Sequence, residues 1–451
     1  MRTTDDHPLF YQSGTPLPVI DRAKGVRMWD TTGKEYLDGC SGSMICNIGH
    51  GDRRVTKAMA EQAAKVSFAY RTQFDNEPSL ALAKELMRLT PDNLSRVFYV
   101  SGGSEAVESA MKLCRQYFYS SRRASRSLFV SRAPSYHGAT LGALALTSYA
   151  PLEIPFRPMK LMYPKIPAPY CYRCPYNATY PDCGIQCARA LEKVLFEYGP
   201  ETVAAFVVEP VGGASVGALD PPAGYFDIIQ DICREYGVML ILDEVMTGFG
   251  RTGALFALEH WDIKADIVAM SKGMASGYFP LGGIMTSAKI ADAVLDAGGF
   301  SHGHTYAGNP MACAVGKTVL DIIVKDKLAE NAASMGETLM AGLWALSHKH
   351  RMIGHVRGKG LLLALELVAN RKKKTPYPPE FQVGKRLTQI AYDLGLLIYP
   401  RRPIDGLTGD HVLLAPPLIV TEDEVAQMLH LLNKAFVQLK KELKAQGVKS
   451  A

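Results

Sequence analysis

At 451 residues, 47% hydrophobic and 21% charged, the chain can form one large core with one or two smaller pieces and has the balance of a soluble globular protein. Its net charge of +6 is small for that length, and outside Arg371–Lys374 the basic residues are scattered, which argues against a nucleic-acid partner. The start MRTTDDHPLFYQSG lacks the basic-then-apolar order of a secretory signal, and no apolar stretch approaches the roughly 18 residues of a membrane span, so no membrane role is expected.

Val26–Asp38 predicts a hairpin around Thr31-Thr32-Gly33. The Gly- and Ser-rich run from Cys40 to Gly51 leads into a helix expected over Asp52–Ala69. A helix over Ser79–Leu89 precedes a short strand, Arg96–Val100. That strand opens directly into Ser101-Gly102-Gly103-Ser104-Glu105 and a long amphipathic helix reaching Tyr119. Strand, Gly/Ser turn and helix make an anion-binding arrangement, because free backbone N–H groups and the positive helix end converge on one spot. An N-cap at Ser101 or Ser104 with no ligand is the plainer alternative; phosphate is preferred.

Strand Ser127–Ser131 leads into Ser135-Tyr136-His137-Gly138 and a helix of small residues. A tyrosine at a strand exit can lie flat over an aromatic ligand, whereas His137 alone reads as a structural histidine. Residues 151–189 are Pro-rich and read as an excursion rather than a core element. They hold Cys171, Cys174, Cys183 and Cys187 in a C-x2-C-x8-C-x3-C spacing that could bind Zn²⁺ tetrahedrally. The surrounding Pro and Tyr residues fit a self-packed loop with free thiols as well, and no metal is expected. Nine cysteines in all, an odd number without a signal peptide, fit a reducing cytoplasm.

Ala204–Val208 reads as a buried strand ending on Glu209-Pro210. Val238–Leu242 and Ile267–Met270 are apolar runs suited to strands buried on both faces of a parallel sheet. The first ends on Asp243 and Glu244, the second on Ser271 and Lys272. Ligands bind at the carboxyl ends of such strands, which puts Asp243 and Lys272 on one ligand edge. A strand over Leu281–Thr286, a short helix over Ile290–Asp296 and the loop Phe300–Pro310 follow. Helices over Met311–Val324 and Leu328–His348 come next, then the apolar segment Lys359–Val368 and a helix over Glu380–Leu394. Strands near Leu396–Tyr399 and Val412–Ala415 and a final helix over Thr421–Lys444 complete what reads as a separate α+β C-terminal domain.

Three motif matches fail on context. Gly248-x-Gly250-x-x-Gly253 resembles a dinucleotide fingerprint, but Asp243–Thr247 separate it from its strand and the acidic residue that should follow is missing. Gly213-x-Ser215-x-Gly217 has the spelling of a hydrolase elbow, yet Leu219-Asp220-Pro221-Pro222 stands where its helix should begin. Gly354–Lys359 is one residue short of a phosphate loop and lacks the Ser or Thr after its lysine.

A phosphate cradle, a stacking aromatic, a carboxylate and a lysine on one sheet edge are the four things pyridoxal phosphate requires. Its aldehyde needs an amine, its phosphate needs N–H donors, and its ring nitrogen needs a carboxylate to stay protonated. The segments YLDGCSGSMICNIGHG, SGGSEAVESAMKLCRQYF, SYHGATLGALALTS, VVEPV, LILDEVMTGFGRTG, MSKGMASGYFPLGG, HTYAGNPMACA and VRGKGLLLALEL occur in that order across nearly the whole chain. In order and spacing they resemble the class III pyridoxal-phosphate aminotransferases, the ω-aminotransferase branch of the fold-type I enzymes.

The resemblance implies an α/β fold with a large, mostly parallel-sheet domain and a smaller α+β C-terminal domain. Residues 1–69 would be an N-terminal segment packing with the small domain, 70–315 the cofactor domain and 316–451 the small domain. Lys272 is implied to carry the cofactor as a Schiff base and then to act as the base at the substrate Cα, and Asp243 to partner the ring nitrogen. Gly103 and Ser104 match the phosphate turn, Tyr136 the stacked aromatic, and Glu209 an acid near the cofactor. Thr305 matches a threonine that reaches the neighbouring subunit's phosphate, which implies a homodimer with shared sites.

Two departures bear on the subclass. Met246 stands where many members carry a glutamine that donates to the ring hydroxyl, and amine:pyruvate members often have an apolar residue there. The stretch GLLIYPRRPIDGLTGDHVLLAPPL is longer than in many relatives and leaves two candidates, Arg401 and Arg402, for the arginine that grips a substrate carboxylate. The expected reaction moves an amino group from an amine or ω-amino acid to a 2-oxo acid such as pyruvate. Alternatives on the same scaffold are a decarboxylating transaminase, an aminomutase, an amine-phosphate lyase and a non-catalytic binding protein.

Overall fold

The computed structural model describes residues 17–401 and 409–448. At the N-terminal end β1 (Ile20–Lys24), β2 (Arg27–Asp30) and β3 (Glu35–Asp38) form an antiparallel meander. The second and third are the expected hairpin. Strand β1 is an addition, and its mostly exposed sequence IDRAK has no apolar alternation to betray it.

The central sheet is built from β4 (Arg96–Val100), β5 (Leu128–Ala133), β6 (Lys165–Pro167), β7 (Val203–Val208), β8 (Met239–Asp243), β9 (Ile267–Met270) and β10 (Gly282–Thr286), in the order β4-β10-β9-β8-β7-β5-β6. Only β10 runs against its neighbours; the pairs from β9 through β6 are parallel. Strands β7, β8 and β9 are buried along their whole length. Along β8, Leu240 and Leu242 enter one core while Met239 and Ile241 enter the other, so each face of the strand is covered. Full burial of such side chains is worth about 1.5–3 kcal/mol each, against about 0–1 kcal/mol for a surface ion pair. The apolar strands therefore hold the sheet edge in place.

The helix Gly103–Ser120 crosses one face over β9 and β10, and helix Tyr225–Tyr236, absent from the expected elements, backs β8 on the other. The C-terminal sheet joins β11 (Ile353–Lys359), β12 (Leu362–Leu367), β14 (Tyr399–Arg401) and β15 (His411–Leu414) in the order β11-β12-β15-β14. Helices Leu328–Lys349 and Val383–Asp393 pack with it, and Glu422–Ala445 packs against those two helices. Strand β13 (Leu396–Leu397) leaves this sheet and pairs parallel with β3 of the N-terminal meander.

Several expectations need correction. Residues 151–189 do contribute a sheet element, since β6 extends the central sheet beside β5. The helix expected to Ala69 ends at Lys65. The one expected over Glu380–Leu394 is interrupted at Gln382, whose φ of 42° breaks the turn before Val383. The single strand expected at Leu396–Tyr399 splits between two sheets, and within Lys359–Val368 the residues Leu362–Leu367 form the second arm of a hairpin. Gly354–Lys359 lies in that hairpin's first arm. Neither Ser101 nor Ser104 caps the long helix; its N-cap is Gly102, which makes no side-chain cap bond.

The four clustered cysteines line one small cavity and remain free thiols. Among the described residues no three His, Cys, Asp or Glu side chains converge to hold a metal, so the zinc geometry is not formed. The G-x-G-x-x-G loop has a different job. Its fully buried Arg251 donates to the carbonyls of Leu361 (3.0 Å) and Pro416 (2.6 Å), to Ser41 Oγ (3.2 Å) and to Asn47 Oδ1 (2.9 Å). One guanidinium thereby ties the N-terminal segment to the C-terminal part.

Candidate active site

Strands β4, β5, β7, β8 and β9 point their carboxyl ends to one edge, and the residues that follow them enclose a cavity of about 160 Å³. Gly103, Ser104, Tyr136, Glu209, Asp243 and Lys272 all line it. Six of the expected site residues are thus brought together from five strand ends. Thr305 is exposed and does not reach the cavity of its own chain, and Arg402 lies outside the described residues.

The anion cradle forms where extended Gly102 gives way to the helix Gly103–Ser120, whose first amides have no intrahelical acceptor. A Cβ on Gly103 would lie 2.7 Å from Val245 Cγ1, and one on Gly138 would lie 2.7 Å from Ser104 Oγ. Both glycines are therefore required for this close approach, Gly138 also by its φ of +144°. Ser104 Oγ accepts the amide of Ala139 at 3.0 Å, which leaves its own proton to donate.

Strand alternation separates the two carboxylates that end β8. Asp243 follows Met239 and Ile241 onto the face covered by the Gly103–Ser120 helix and reaches the cavity. Its Oδ2 meets His137 Nδ1 at 2.8 Å and its Oδ1 accepts the amide of Val245 at 3.1 Å. Glu244 turns to the opposite side, where it accepts the Leu258 amide at 2.7 Å and the Thr247 hydroxyl, and burial pushes its carboxyl up to about 7. Only Asp243 serves the cavity. His137 is held in turn by its backbone amide on Thr147 Oγ1 at 2.9 Å, and its Nε2 is buried without a partner.

Lys272 sits just past β9 with a φ of 44°, a left-handed conformation uncommon outside glycine. Burial lowers its ammonium to about 8, with Arg401 and Arg251 pushing the same way and Asp243 and Glu209 opposing. Glu209 is wholly buried, accepts the amide of Gly213 at 2.8 Å and is pushed up chiefly by desolvation. Met246 lies against Gly213 and forms wall where a hydrogen-bonding side chain would otherwise stand. The guanidinium of Arg401 lies over the rings of Tyr399 (5.0 Å) and Tyr149 (5.5 Å), and its Nε has no hydrogen-bond partner among the described residues.

Gly138 and Val245 are cavity residues that sequence reasoning passed over, and His137, read from sequence as a structural histidine, lines the cavity too. Val245 was signalled by the period of two from Asp243, and Gly138 by its place after Tyr136-His137. His137 carried no signal of its own, because its partner lies 106 residues away. The residues present fit pyridoxal phosphate. Buried amine and carboxylate face one cavity, the glycine cradle leaves room at free amides, and Tyr136 offers a flat ring.

Comparison with known proteins agrees. The family model for aminotransferase class-III matches residues 11–436. The chain is 39% identical over 429 residues to the uncharacterized aminotransferase YodT of Bacillus subtilis (strain 168), covering 95% of this chain and 96% of that protein. It is similar in structure to a thermostable (S)-enantioselective omega-transaminase from Thermomicrobium roseum, with a TM-score of 0.90, 36% identity and 96% of each chain covered. An amine transaminase from an uncultivated Pseudomonas species, in its PLP-bound form, gives a TM-score of 0.90 at 34% identity, covering 97% of this chain and 99% of that one. The architecture is that of the fold-type I enzymes and the cofactor is pyridoxal phosphate; the chain belongs to the class-III aminotransferases.

Proposed function

We propose that the enzyme moves an amino group from an amine or ω-amino acid to a 2-oxo acid such as pyruvate, and that it works as a homodimer in the cytoplasm. The observation that carries this reading is the cavity that Lys272 and buried Asp243 line together. When bound, pyridoxal phosphate supplies a carbonyl that condenses with amines and a ring that withdraws electrons from the substrate Cα. The remaining work belongs to the chain.

Gly103 and Ser104 hold the phosphate through backbone amides and one hydroxyl, and Tyr136 supplies an aromatic face for the ring. Asp243 keeps a proton on the ring nitrogen, with His137 fixing the carboxylate's orientation. With the cofactor bound, Lys272 Nζ would hold its aldehyde end and, once freed by the substrate, would take up and carry the proton from the substrate Cα. An amine lowered to about 8 has a substantial neutral fraction near neutral pH, which this task demands. Arg401 offers parallel N–H donors to the carboxylate of the oxo acid. Val211, Val245 and Met246 give the cavity an apolar wall, which favours amines without a second charge.

The homodimer rests on apolar exposure. Leu161 and Met162, 65% and 77% exposed, belong with Ile154, Phe156 and Met159 to one segment, and Phe68, Tyr70, Phe74 and Tyr306 are exposed as well. Uncovered apolar groups at that density mark an interface. Thr305, beside Tyr306, would then face the neighbouring subunit's phosphate. The cytoplasmic assignment rests on nine free thiols; no helix among the described residues is long and apolar enough to cross a membrane.

A panel of amine donors assayed against pyruvate and 2-oxoglutarate tests the reading. Turnover with pyruvate and an uncharged-tail amine is expected. Release of CO₂ or phosphate, or nitrogen moved within one molecule, would assign a different reaction.

A further inference from the structure

Arg401 ends β14 opposite His411 of β15, the two strands pairing as the antiparallel arms of a hairpin, and Gly409 lies two residues before β15 begins. What holds the base of this hairpin is a buried carboxylate on the neighbouring strand. Glu366 of β12 is fully buried and accepts the Gly409 amide at 3.2 Å, Arg173 Nε at 2.7 Å, Arg357 Nη1 at 3.1 Å and the Tyr170 hydroxyl. Two of these donors, Tyr170 and Arg173, come from the Pro- and Cys-rich excursion, which otherwise has no part in the site. Arg357 also donates through Nε to the carbonyl of Gly217 at 2.6 Å. His411 Nε2 faces the carbonyl of Ala214 at 2.9 Å and therefore carries the proton there. The strand bearing Arg401 and the segment that runs on to Gly217 from Glu209 and Val211 of the cavity wall are thus braced on the same cluster.

We infer that Glu366 is a positioning residue for 2-oxo acid binding: with Tyr170, Arg173 and Arg357 it holds the hairpin that presents Arg401 to the substrate carboxylate. The inference rests on the reading of Arg401 as the carboxylate-binding arginine. A guanidinium grips a carboxylate well only in one bidentate geometry, so a displacement of the strand by a fraction of an ångström weakens the grip. An amine donor without a carboxylate makes no use of that geometry. The consequence is selective, since loosening the cluster weakens the oxo acid and spares the amine.

The test compares Glu366→Gln, Tyr170→Phe, Arg173→Met and Arg401→Ala with the wild-type holoenzyme. KM and kcat are measured for pyruvate and for a carboxylate-free amine. Calorimetric titration of pyruvate into the cofactor-loaded protein without amine, a pairing that cannot turn over, reads binding apart from activity. Expected for Glu366→Gln is a roughly tenfold rise in pyruvate KM and Kd, with amine KM and kcat within about twofold. Tyr170→Phe and Arg173→Met should give the same pattern at smaller amplitude, and they carry the test if Glu366→Gln does not fold. Pyruvate constants unchanged in these variants while Arg401→Ala raises them would overturn the role of Glu366. Unchanged pyruvate binding in Arg401→Ala would instead overturn the reading of Arg401, and this inference with it.

Discussion

Lys272 is placed where an ammonium is poorly solvated, and the direction of its shift has a measurable consequence. With a pKa of about 8 the amine is protonated below that pH and free above it, whereas an ordinary lysine stays charged to about 10.4. Only the free amine attacks an aldehyde. The rate at which cofactor-stripped protein recaptures pyridoxal phosphate should therefore rise with pH, with a midpoint near 8. A rate still climbing steeply between pH 9 and 10 would contradict the burial argument. At the same scale, His137 meets the Asp243 carboxylate through Nδ1 at 2.8 Å, and on the proposed reading it acts through Asp243. A hydrogen bond to a carboxylate is worth about 1.5–3 kcal/mol, so His137→Phe should lower kcat by roughly tenfold or more. Its amine and oxo-acid KM values should change little. A wild-type kcat in a folded His137→Phe enzyme would remove that residue from the account.

At the scale of elements, β8 is both core and site. Leu242 is fully buried one position before Asp243. Leu242→Ala leaves a cavity under the catalytic edge and should cost about 2–5 kcal/mol of stability in denaturant unfolding. A cost below about 1 kcal/mol would mean that the apolar strands do not anchor the edge. These strands were legible because each is a continuous apolar run buried on both faces, and their last residues announced Asp243, Glu209 and Lys272. Strands whose partners lie elsewhere were not legible. IDRAK has no apolar pattern, β6 is three residues inside a Pro-rich segment, and Leu396–Arg401 divides between two sheets through long-range pairing that local sequence does not encode. The same limit left His137 looking like a structural histidine, because its Asp243 partner lies far away in sequence.

For the whole molecule, the apolar segment around Ile154–Met162 should be covered in solution. The protein is expected to sediment at twice the chain mass, and aspartates at Phe156 and Met162 should shift it toward the monomer. Activity should fall with the dimer on the proposed reading that Thr305 serves the neighbouring subunit's site. A fully active monomer would contradict the shared-site arrangement.

The central claim is that nitrogen leaves an amine and arrives on a 2-oxo acid through Lys272 and Asp243. Its most direct measurement follows ¹⁵N from a labelled carboxylate-free amine into the product formed with pyruvate, for wild type and Lys272→Ala. The account predicts ¹⁵N-alanine in amounts matching the aldehyde or ketone formed from the amine, falling by at least about a thousandfold in Lys272→Ala. Label released as ammonia, label remaining on the donor, or undiminished transfer by Lys272→Ala would contradict it.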